Sequence, residues 1–188
     1  MIRLTAIALA LLVSGCSSVL TATRDEPIDI NAGTRTIGST IDDQLIETRI
    51  QVNVAKSHID LERASRVEVT SYNGVVLLAG QVPREELKSI AERAARQVQK
   101  VKVVHNELKV GQPISLLARN NDALITTSVK SRMLADSSIP GRRIKVTTEA
   151  GSVYLLGLVT RNEADLAVQA AQNVGGVQRI VKLFEYID

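Results

Sequence analysis

Aromatic side chains are nearly missing from this chain of 188 residues, which has no tryptophan, one phenylalanine and three tyrosines. Carbohydrate sites and single-stranded nucleic-acid sites are built on aromatic platforms, so a cell-wall-binding or nucleic-acid-binding role has little to stand on. The basic excess is also small, a formal net charge of +3. Its lysines and arginines are scattered, where a nucleic-acid surface needs them clustered. One cysteine rules out a disulfide within the chain, and with two histidines it supplies too few ligands for a structural zinc site. No apolar run approaches the roughly 20 residues needed to span a bilayer.

The longest apolar run is Leu4 to Val13, preceded by Arg3 and followed by Ser14, Gly15 and Cys16. A positive start, a short apolar stretch and small residues form the pattern of an export signal. Ending on the sole cysteine, it resembles the bacterial lipobox. Residues 1–15 are therefore expected to be a lipoprotein signal peptide, and Cys16 the acylated first residue of the mature chain. Ser17 is not the aspartate that commonly retains lipoproteins in the inner membrane, so the expected site is the outer membrane, lipid-anchored and facing the periplasm. Residues 16–40 are rich in Ser, Thr, Asp and Gly and read as a lipidated N-terminus and tether, although Thr36 to Thr40 could form a strand. A flexible coil of that length averages about 27 Å end to end.

The rest of the chain is a duplication. Asp43-x-Leu45-Ile46 returns as Asp122-x-Leu124-Ile125, and Val67-Glu68-Val69-Thr70 as Ile144-Lys145-Val146-Thr147. Gly74 to Gly80 returns as Gly151 to Gly157, and Ala94-Ala95 as Ala170-Ala171. The offset shortens from 79 to 76 along the chain, as expected when deletions fall in loops. Each copy reads as helix, hairpin, helix, strand. Ile46, Ile50 and Val54 share one helical face. Val67 and Val69 alternate, Asn73-Gly74 supplies a tight hairpin turn, and Val75 to Ala79 return. Leu87, Ile90, Ala91, Ala94 and Val98 line one face of the next helix, and Val101 to Val110 form the last strand. The second copy follows through Leu124–Leu134, Arg143–Thr148, Ser152–Gly157, Arg161–Val174 and Val177–Ile187. The fold class is α+β, with two tandem αββαβ modules at 41–110 and 121–188 joined by a linker at 111–120. In each, two helices pack on a three-stranded mixed sheet. So short a linker should leave the copies touching.

This order, the hairpin glycines and the duplication resemble the BON domain of bacterial envelope proteins. The whole chain is similar to dual-BON outer-membrane lipoproteins through Cys16, Thr36-Ile37-Gly38, Ile41-Asp42-Asp43, Val69-Thr70-x-Tyr72-x-Gly74-x-Val76-Leu77-Leu78-x-Gly80-Gln81, Gly111-Gln112-Pro113-Ile114, Ile125-Thr126-Thr127 and Lys145-Val146-Thr147-Thr148-Glu149. The resemblance implies binding of anionic phospholipid, such as phosphatidylglycerol, by the second module. It also implies support of outer-membrane integrity and enrichment at the division site.

No catalytic constellation stands out, and no enzymatic activity, cofactor or metal is expected. His58 falls in a polar stretch and His105 alternates within a strand. Asp42-Asp43 and Glu85-Glu86 read as helix-start carboxylates that complement the helix dipole. The binding candidate is the first helix of copy two. On a helical wheel Ile125, Val129 and Met133 form the core stripe, while Leu124 and Leu134 each lie about 140° from its centre. Thr127 and Ser131 sit between the two leucines, with Lys130 and Arg132 on opposite flanks. Outward leucines flanked by cations suit a lipid interface. In copy one Gln51, Asn53 and Ala55 replace Lys130, Arg132 and Leu134, so only Leu45 remains. Two alternatives stay open. The leucines could pack on the other copy, or the protein could be an adaptor offering a sheet face or edge strand to an envelope assembly partner.

Overall fold

The computed structural model describes residues 33–188. The expected signal peptide, Cys16 and the expected tether up to residue 32 lie outside them. The first helix, α1 (Ile37–Ser57), buries Ile46, Ile50 and Val54, the predicted stripe. It starts earlier than expected, because the Thr36 hydroxyl caps it by accepting a hydrogen bond from Ser39 N at 3.1 Å. Residues 37–40 are therefore helix and neither tether nor strand. The helix ends at His58, a single non-helical residue between two helices, as the expected loop position allows. Its backbone is extended, and its Nδ1 accepts from Asp60 N, capping the short α2 (Ile59–Arg63).

Strands β1 (Arg66–Tyr72) and β2 (Val75–Val82) form the hairpin, paired antiparallel. Asn73 and Gly74 both adopt positive φ, 53° and 78°, the left-handed pair that a two-residue turn of this hand requires. Helix α3 (Glu85–Arg96) then carries the chain over the sheet to β3 (Val103–Val110), which lies parallel to β2. A parallel neighbour needs such a crossover. Glu85 and Glu86 occupy the first turn of α3 and Arg93 and Arg96 fall in its last, complementing the dipole as expected.

Copy two repeats this with α4 (Leu116–Ala135), a single 3-10 turn at Gly141–Arg143, β4 (Ile144–Glu149), β5 (Ser152–Val159), α5 (Arg161–Gln172) and β6 (Arg179–Tyr186). The sheet orders are β1-β2-β3 and β4-β5-β6, each mixed. Helix α4 also starts early, with Ser115 as its cap. Residues 116–120, expected as linker, are helix, and the connection shortens to 111–115.

Each copy has its own aliphatic core between helices and sheet. Ile50, Val76, Leu78 and Leu87 meet in the first, and Val129, Met133, Val153 and Leu155 in the second. A third core lies between the copies. The residues that alternate with those core positions, Leu77 and Ala79 on β2 and Tyr154, Leu156 and Leu158 on β5, bury against one another with Tyr72 and Leu183. The two sheets thus pack face to face, and the order of layers is helices, sheet, sheet, helices. Charged and polar pairs ring this seam. Gln81 Nε2 donates to Glu149 Oε1 at 2.9 Å, and Arg179 pairs with Glu107 at 2.6 Å.

Candidate lipid-binding helix

Helix α4 covers its sheet with Ile125, Val129 and Met133. Its opposite face looks away from the protein. Leu124 is 67% exposed and Leu134 53%, because the contact between copies is made by the sheets and leaves the helices outside. The packing of these leucines on the other copy is thereby excluded. Two further leucines join them: Leu116 and Leu117, 73% and 80% exposed, fall on the same side of the added first turn. Both fall in the stretch expected as linker, where the Ser115 hydroxyl, accepting from Ala118 N, caps the true start of the helix. Thr127 and Ser131 are exposed between the leucines, and the Thr127 hydroxyl donates to its own helix at Ala123 O.

The cations divide. Arg132 is exposed. Lys130, expected on the opposite flank as a lipid contact, is half-buried instead. Its Nζ donates to Gly141 O at 2.7 Å and Ile144 O at 2.5 Å, tying α4 to the start of β4. Burial holds this ammonium below its usual pKa. Lys130 is a structural tie here, and its charge is not offered to the surface. Another cation stands near the same end. Gly141 lies so close to α4 that a Cβ there would meet Met133 O at 2.7 Å, and the adjoining Arg142 is exposed. The only acid of α4, Asp122, is buried, its two oxygens accepting from Ala150 N and Gly151 N at 2.8 and 2.9 Å. The outward face is therefore apolar and hydroxylic and carries no carboxylate of the helix itself, with arginines at one end and the exposed C-cap Asp136 beside them.

Asp43 does in copy one what Asp122 does in copy two. It is buried, and its oxygens accept from Asn73 N, Gly74 N and Ser71 Oγ while Arg35 lies 2.6 Å away. Burial pushes its pKa up, but the hydrogen bonds from Gly74, Ser71 and Asn73 and the Arg35 charge outweigh that and hold the carboxyl below its usual range. The helix-start reading of Asp43 is corrected. It sits in the second turn and anchors the hairpin. Asp42 beside it pairs with Lys100 at 2.7 Å.

His105 is half-buried, and burial lowers its pKa against the opposing effect of Glu107. Among the described residues no group of three or more His, Cys, Asp or Glu is placed to hold a metal, and no helix is long and apolar enough to cross a membrane. A sheet face cannot serve an adaptor role, since in both copies it is covered by the other.

The BON-domain family model matches residues 42–112 and 121–188, one stretch for each αββαβ unit. The chain belongs to the BON family. Among its relatives, outer membrane lipoprotein DolP of Haemophilus influenzae is 39% identical over 82% of this chain and 79% of its own length. The 21 kDa hemolysin of Actinobacillus pleuropneumoniae is 35% identical over 81% of this chain and 78% of its own. Osmotically-inducible protein Y of Escherichia coli is 27% identical over 80% and 76%. The chain is accordingly an outer-membrane lipoprotein carrying two BON domains.

Proposed function

We propose that this BON protein is anchored in the outer membrane by acyl chains on Cys16, faces the periplasm, and binds anionic phospholipid through the outward face of α4. It has no catalytic role. One observation carries the reading: Leu116, Leu117, Leu124 and Leu134 are exposed together on a helix whose only carboxylate is buried, with Arg132 and Arg142 exposed at its end. Apolar burial at the headgroup boundary then adds to attraction between arginine and phosphate, each cation near an anionic surface contributing about 1 kcal/mol. The acyl anchor supplies residence at the bilayer, and the helix selects lipid and orientation. The family resemblance extends this to support of outer-membrane integrity at the division site.

The test is vesicle co-sedimentation of the mature chain carrying Cys16→Ser, which removes the anchor. Binding is expected to phosphatidylglycerol vesicles and to be weak with phosphatidylcholine. Leu124→Glu with Leu134→Glu should abolish it while circular dichroism stays unchanged. Undiminished binding by that variant rejects α4 as the docking face. Absence of any vesicle binding, together with a stoichiometric crosslinked envelope protein, would replace this reading with an adaptor role.

A further inference from the structure

Helix α1 carries an apolar outward face of its own. Ile37, Ile41, Leu45 and Val52 are all exposed, Ile37 at 83%. At 100° per residue they fall within an arc of about 80°, opposite the buried Ile46, Ile50 and Val54. In the duplication Ile37 and Leu45 match Leu116 and Leu124, so the two copies keep an apolar face at the same place.

The charges beside this face are sorted as they are on α4. All three acids of α1 are engaged by cations of this chain: Asp42 by Lys100, Asp43 by Arg35 and Glu47 by Lys145. Arg49 and Lys56 are exposed, fall along one edge of the stripe, and make no ion pair among the described residues. An apolar stripe edged by free cations, with its carboxylates neutralised, complements an anionic lipid surface.

We propose that the outward face of α1 is a second docking face for an anionic lipid surface, so that one chain holds lipid on two opposite sides. The proposal rests on the lipid reading of α4 and extends it to copy one. Because the sheets pack face to face, α1 and α4 lie in the two outer layers and their outward faces point away from each other. One flat bilayer can take only one of them at a time. The anchor permits either choice. Sixteen residues separate Cys16 from Gly33, where the folded body begins, with a covalent reach of up to about 55 Å, against a folded body on the order of 40 Å across.

Two opposed lipid faces make a specific prediction, clustering of vesicles. The mature Cys16→Ser chain should raise the light scattering of phosphatidylglycerol vesicles by clustering them, and should leave phosphatidylcholine vesicles dispersed. Ile41→Glu with Leu45→Glu and Val52→Glu should cut clustering at least tenfold while lowering co-sedimentation about twofold, since α4 still binds. Arg49→Ala with Lys56→Ala, which leaves the apolar packing untouched, should weaken clustering most at low salt. Co-sedimentation of the parent chain without clustering, or clustering that survives the triple variant, overturns the α1 proposal and leaves the α4 reading standing. Failure to co-sediment at all overturns both. Sedimentation equilibrium without vesicles should find a monomer. A dimer broken by the same triple variant would assign the stripe to a second copy and overturn the proposal.

Discussion

The hydroxyls of Thr70 and Thr147 lie 3.1 Å apart across the seam between the two BON domains. These are equivalent residues of the duplication, and equivalent residues touch each other where a local two-fold axis passes. The neighbouring contacts agree, since Arg66 reaches Glu149 and Lys145 reaches the Ser71 carbonyl, so β1 and β4 run antiparallel past each other. A duplicated domain has thus packed on itself as a symmetric dimer would, and the seam closes the sheet faces while leaving the helices outside.

The seam predicts a single cooperative unit. Leu156 is fully buried between the sheets, and Leu156→Ala should cost about 2–5 kcal/mol in urea unfolding. A loss below about 0.5 kcal/mol, the level of an ordinary surface substitution, would mean that the sheets do not pack in solution.

Asp43 predicts an acid-sensitive hairpin. Its pKa is lowered in the fold, so the unfolded chain takes up the proton first and stability falls as pH drops. The contribution is present above the unfolded value of about 3.9 and is lost as pH falls through the lower folded value. At pH 7 Asp43→Asn should cost on the order of 2 kcal/mol. Measured between pH 7 and 2.5, its deficit against the parent should shrink only below about pH 4. A deficit that is constant across the range rejects the role given to the carboxylate.

Lys130 predicts a stability change in place of a binding change. Removing its ammonium leaves Gly141 O and Ile144 O without this donor, so Lys130→Ala should lower stability by about 1–3 kcal/mol. Its salt dependence of lipid binding should match the parent. If the variant unfolds like the parent but binds vesicles with a shallower salt dependence, the lysine belongs to the lipid surface after all.

Arg132 and Arg142 carry the complementary expectation. Arg132→Ala with Arg142→Ala should weaken binding to phosphatidylglycerol vesicles about tenfold or more at low salt, two cations near the surface contributing about 1 kcal/mol each. The difference should narrow as salt rises. Equal affinities at low salt would remove these arginines from the lipid contact.

Periodicity and punctuation in the sequence were enough to place ten strands and helices of the repeat, because each is a local matter. A buried stripe at i, i+4, i+8 forms one helix face wherever that helix ends up, and Asn73-Gly74 turns a hairpin whatever lies beyond it. Leu124 and Leu134 on the outward face of α4 were legible for the same reason, since a helix has only one side to bury. What escaped was set by partners distant in the chain. Asp43 looked like a helix-start carboxylate until the hairpin brought Asn73 and Gly74 to it, and Lys130 looked like a surface cation until the turn at Gly141–Arg143 offered it two carbonyls. The seam left a trace that was passed over. Strands β2 and β5 read VVLLAGQV and SVYLLGLV, nearly unbroken apolar runs where a half-exposed strand should alternate. Such a run says that both faces are buried, but only the tertiary structure decides what covers the second. Here it is the other copy, because two sheets with matching apolar faces exclude most water by closing on each other.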